Sequence, residues 1–171
     1  MCTSERFRRQ VLLSLLVIFS LALVEVRSQE LLSSIEQLAK ESDAVVVGRV
    51  AGLSSEWNNN RTRIQTRVTI TVDQCLKGDA GKKSMTVMVP GGEVDGIGEV
   101  YSHAPRFLRD EAVVLFAKKN ASGDYHVSEG TQGKYTLRRD RVSGRVLVAG
   151  ERTLEEFTAS VRTALQIQNI K

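Results

Sequence analysis

Cysteine and histidine are scarce in this chain, with two of each in 171 residues. Two cysteines exclude a disulfide framework, and two histidines leave little from which to build a metal site. A large excess of one charge is missing as well: 24 Lys and Arg stand against 20 Asp and Glu, a formal net of +4. Residues 1–28, which read as removable, hold Arg6, Arg8, Arg9 and Arg27 against Glu5 and Glu25. Without them 20 basic and 18 acidic groups remain, a net of +2. That balance is too small to argue for a nucleic-acid or anionic-membrane partner. Internal repeats, low-complexity runs and a clear linker are absent too. What is present fits one globular domain: the length suits a single core, and 42% hydrophobic with 26% charged residues is neither disordered nor fibrous.

The N-terminus reads as an export signal. Arg6, Arg8 and Arg9 precede Val11–Val24, a 14-residue run that is apolar apart from two serines. As a helix it would span about 21 Å, short of a hydrocarbon core of about 30 Å. It therefore suits a signal-peptide core better than a permanent span, with an uncleaved anchor as the alternative. Val26 and Ser28 occupy −3 and −1 of a cleavage point before Gln29. The expected location is secreted or periplasmic, with no stable membrane span after cleavage. Cys2 leaves with the signal, and Cys75 then reads as a small buried hydrophobe near the end of a strand.

The remaining chain, 29–171, reads as a single β-barrel domain: a helix over 29–42, strands within 44–149 and a helix over 153–167. Leu31, Leu32, Ile35, Leu38 and Ala39 share one helical face, and Ser33 with Glu36 has capping-box spacing. Residues 44–50 are β-branched. Ile64, Val68, Ile70 and Val72 share one parity in a long half-buried strand over 62–76. Further strands are expected at 84–90, 112–117, 125–127, 134–138 and 145–148. Residues 91–108 are expected to be one long irregular stretch. Thr153 and Glu156 form a capping box ahead of the apolar stripe Leu154, Phe157, Val161, Ala164 and Leu165. The fold class is mainly β: a small antiparallel barrel with a helix at each end.

Asp43-Ala-Val-Val-Val-Gly-Arg-Val50, then Arg63-Ile-Gln-Thr-Arg-Val-Thr-Ile-Thr-Val-Asp-Gln-Cys-Leu-Lys-Gly78, a Gly-rich loop and a hairpin around Gly123 are similar to the netrin-like module. That is the OB-type barrel of tissue inhibitors of metalloproteinases, complement C-terminal domains and netrins. The same order resembles a group of secreted bacterial proteins of unassigned function. The likeness covers residues 35–130 and implies an OB-like barrel. It implies no inhibitory mechanism, because those inhibitors bind the target's metal through a mature N-terminal cysteine, and this chain would begin at Gln29. The disulfides of the module are also missing, and no functional residue is carried over.

The chemistry-bearing candidates are few. Gly91-Gly92 and Gly96-Ile-Gly98 lack the residues of a P-loop or a dinucleotide fingerprint and read as turn and loop glycines. Long loops in compact domains often bind, so 91–108 is the binding candidate, with Glu93, Asp95, Tyr101, His103 and Arg106 as contacts. Glu93 and Asp95 share a parity if extended. His103 and His126 lie 23 positions apart, and neither has a ligand partner at motif spacing. Adjacent Ser102 and His103 would point to opposite faces of a strand. Arg138, Arg139, Arg141 and Arg145 form a basic hairpin near Tyr135, read as a guarded edge; export argues against nucleic acid. Asn60-Arg-Thr62 and Asn120-Ala-Ser122 are glycosylation sequons.

No residue is assigned a catalytic, cofactor-binding or metal-ligating role. The expectation is an exported, non-enzymatic module that binds an extracellular or envelope protein, a protease among the candidates, through 91–108. The alternatives are a small-ligand carrier using the barrel mouth and a hydrolase using His103.

Overall fold

The computed structural model describes residues 35–150 and 152–168, and all of these but Ile35 belong to one compact unit, Glu36–Lys171. The apolar run 11–24, the cleavage point and the Ser33 cap lie outside the described residues. The described part of the N-terminal helix, α1, is residues 35–41. Lys77 closes its end by donating from Nζ to the carbonyls of Ala39 and Lys40, at 2.9 and 3.1 Å. Among the described residues no helix is long and apolar enough to cross a membrane.

Ten strands follow among the described residues: β1 (Ala44–Trp57), β2 (Ile64–Lys77), β3 (Ser84–Pro90), β4 (Gly92–Val94), β5 (Ile97–Glu99), β6 (Ala112–Lys119), β7 (Tyr125–Val127), β8 (Lys134–Arg139), β9 (Val146–Val148) and β10 (Arg152–Thr153). The helix α2 spans Leu154–Gln168. Five strands close a ring, β1-β2-β3-β7-β6-β1, an order compatible with an OB-like barrel.

One expectation is corrected here. The barrel is mixed, not antiparallel, because β3 and β7 run parallel. Closure requires it. Strand directions cannot alternate all the way round a ring with an odd number of members, so at least one neighbouring pair must be parallel. Here β7 reverses off β6, β6 opposes β1, and β7 therefore arrives alongside β3 in the same direction.

Alternation sorts the side chains. Val46, Val50, Val68, Ile70, Val87, Val113 and Leu115 face the barrel interior and are 0–4% exposed. The other parity is also covered. Phe116 packs edge-on against Tyr135 of β8 and Phe157 of α2, with ring centroids 5.9 and 6.4 Å apart. Burial raises the Tyr135 hydroxyl above its ordinary pKa. The outer edge of β6 is shared: Ala117–Lys119 pair with β7, and Val113–Leu115 pair with β8. Strands β8, β9 and β10 thus leave the barrel as a meander that leads into α2. The capping box forms as the sequence predicts, with Glu156 N–H donating to Thr153 Oγ1 at 3.2 Å and Thr153 N–H to Glu156 Oε2 at 3.1 Å.

Strand β1 is paired on both sides at Gly48, beside a register shift between Val47 and Gly48. A Cβ here would collide with the Thr71 carbonyl and come within 2.8 Å of Ile70 Cγ2. Backbone of a central strand cannot move aside cheaply. Gly48→Ala is therefore expected to cost about 3 kcal/mol, the upper part of the overpacking range. Urea unfolding measures it, and a loss below about 0.5 kcal/mol would contradict so tight a crossing.

Candidate functional site

The segment 91–108 is not wholly irregular. Its first half is the β4–β5 hairpin, with Val94 opposite Ile97 across a two-residue turn. Asp95 and Gly96 both have positive φ, 52° and 79°, the geometry that joins right-twisted strands tightly. The Asp-Gly pair between Val94 and Ile97 was a legible signal for this turn.

Gly91 and Gly92 press the hairpin onto the extended ends of β1 and β2. Both have positive φ, and a Cβ on Gly92 would collide with the hydroxyls of Ser55 and Thr66. Those hydroxyls lie 3.0 Å apart, and Thr66 Oγ1 donates to the Gly91 carbonyl at 2.7 Å. The paired glycines serve this close approach.

The second half of the segment crosses the end of the barrel. Ala104 and Phe107 pack against the barrel core. A latch then holds the far end. Glu111 Oε1 accepts from Lys134 Nζ and Thr136 Oγ1, each at 2.7 Å, and its Oε2 accepts from the Leu108 N–H at 3.1 Å. Lys134 also stands 5.0 Å from the centre of the Phe107 ring. Burial alone would raise the Glu111 carboxyl, but the hydrogen bonds from Lys134, Thr136 and Leu108 and the Lys134 charge outweigh it. The result is a carboxyl below the ordinary glutamate range. Arg49 donates to the Asp110 carbonyl at 2.8 Å and Arg109 to that of Ala51 at 3.2 Å, stitching the same corner to β1.

Two clefts result. The first, about 430 Å³, opens at the barrel mouth between Leu53, Val68 and Val89 below and Phe107 and Leu108 above. The second, about 330 Å³, is lined by both His103 and His126. Of the five predicted contacts, Glu93 and Arg106 line the first cleft and His103 the second, while Tyr101 is shared by both. Tyr101 is held in place by donating its hydroxyl to Glu99 Oε2 at 3.0 Å. Asp95 lines neither cleft: it is exposed at the hairpin tip. Its shared parity with Glu93 is broken, because the chain reverses at Asp95 instead of continuing extended.

The apolar floor of the first cleft and Met88 of the second were not among the sequence candidates, whereas His126 was one of them without an assigned role. Their positions depend on strand pairing. Comparison with protein-family models, with curated proteins and with solved structures finds no match for this chain.

Proposed function

We propose that this chain is an exported, non-enzymatic binding module of netrin-like OB type, whose segment 91–108 docks onto another extracellular or envelope protein. A protease is one candidate partner. The observation that carries this reading is the placement of exposed apolar surface. Among the described residues five large apolar side chains are exposed, and three of them, Ile97, Val100 and Leu108, belong to this one segment. Val100 and Leu108 are 80% and 70% exposed and flank the mouth cleft. Apolar side chains grouped at a cleft rim mark interaction surfaces more often than scattered ones do.

The test is affinity capture from the native envelope and culture fluid with wild type and with Val100→Asp, Leu108→Asp. Both positions are on the surface, so the variant should keep its stability within about 0.5 kcal/mol. The expected result is a protein retained by wild type and depleted about tenfold or more by the variant, since desolvating two carboxylates in an interface opposes binding. The same proteins at the same level on both forms would end this reading. A second reading, a small-ligand carrier, is favoured by the volume of the mouth cleft, which falls in the range of ligand pockets. Native mass spectrometry separates the two, because a carrier would show a co-purified small molecule and a docking module would not.

A further inference from the structure

The chain's two histidines, separated by 23 positions, line the same 330 Å³ cleft, and one of its three methionines joins them there. Met88 and His126 are directly opposite one another in the parallel β3–β7 pair. Their sequence neighbours Val87, Val89, Tyr125 and Val127 belong to the barrel core or pack against it. Met88 and His126 therefore stand side by side on the outer face of the barrel, on strands about 4.8 Å apart. His103 is delivered from the crossing segment. Its carbonyl lies against Gly130, just beyond β7, where a Cβ would collide with it. Glycine at this point lets the segment approach closely enough for His103 to line the same cleft.

We propose that this cleft binds a single Cu(I) ion through His103, His126 and the Met88 thioether. The donor set selects the metal. Imidazole and thioether are both good ligands for Cu(I), and a thioether contributes little to Mg²⁺, Ca²⁺ or Mn²⁺, which need oxygen donors. None of the described residues lining the cleft is a carboxylate or a cysteine. A site made of neutral donors leaves the full charge of its ion uncompensated, so a monovalent ion costs far less to hold there than a divalent one. This proposal stands apart from the docking reading and needs no protein partner.

Purified protein titrated anaerobically with Cu(I), in competition with the chromophoric chelator bicinchoninate, tests it. One equivalent of Cu(I) should be held. Met88→Leu keeps the side chain's size and should weaken Cu(I) by about tenfold, one soft ligand's worth, while leaving weak Zn(II) binding within about twofold. His126→Gln and His103→Gln should weaken both metals. X-ray absorption of the wild-type complex should show a copper–sulfur distance that disappears in Met88→Leu. No Cu(I) retained against the chelator, or an unchanged Cu(I) affinity in any of the three variants, overturns the proposal. Near-ultraviolet circular dichroism confirms that each variant is folded, so that a lost site is not mistaken for a lost fold.

Discussion

Glu111→Ala is expected to destabilise the protein by about 3–5 kcal/mol, the range seen when one partner of a buried ion pair is removed. The side chains of Glu111 and Lys134 are each only 11% exposed, so the lost carboxylate leaves an ammonium with little water to turn to. Thr136 and the Leu108 N–H lose their acceptor as well. Chemical denaturation of wild type and variant measures the loss, and a difference below about 0.5 kcal/mol would show that the latch contributes nothing. The same pair also makes the latch sensitive to acid. Hydrogen bonds hold the folded carboxyl below the ordinary glutamate value of 4.5. Its contribution is therefore complete above that value and is lost as pH falls through the lower, folded pKa. Wild type should lose stability in this acid window faster than Glu111→Gln, which has no carboxyl to protonate there. Parallel curves for the two would contradict the assignment. The latch fixes the far end of the 91–108 segment, so Glu111→Ala should also weaken capture of the proposed partner.

Phe157→Ala should cost a similar amount, about 3–5 kcal/mol, for a different reason. Phe157 is 2% exposed and joins α2 to two strands, with its ring centre 4.9 Å from that of Tyr135 and 6.4 Å from that of Phe116. Truncation removes the transfer energy of a buried ring, leaves a cavity between helix and sheet, and breaks both aromatic contacts. For a chain of this size that corresponds to a fall in Tm of about 10 °C. A shift under about 2 °C would mean that the helix docks mainly through Val161 and Ala164, which are also buried. Neither Glu111 nor Phe157 lines the cleft that contains the two histidines. Variants at these positions that remain folded should keep Cu(I) binding, which separates stability from the proposed metal site.

The sequence by itself determined the alternation of the long strand β2 and the start of α2. Ile64, Val68 and Ile70 repeat at even spacing because one face of β2 is buried, and burial leaves a local, period-two trace. Thr153 and Glu156 announce the start of α2 because a capping box is closed by residues three positions apart. The Asp95–Gly96 turn is equally local, an Asp-Gly pair that breaks the expected irregular stretch into a hairpin. The parallel β3–β7 junction belongs to the tertiary structure alone: it follows from closing five strands into a ring, which no segment encodes separately. That His103, His126 and Met88 line one cleft depends on that junction and on the close approach at Gly130. Strand pairing and loop crossing are long-range packing outcomes, whereas alternation and capping are settled within a few residues.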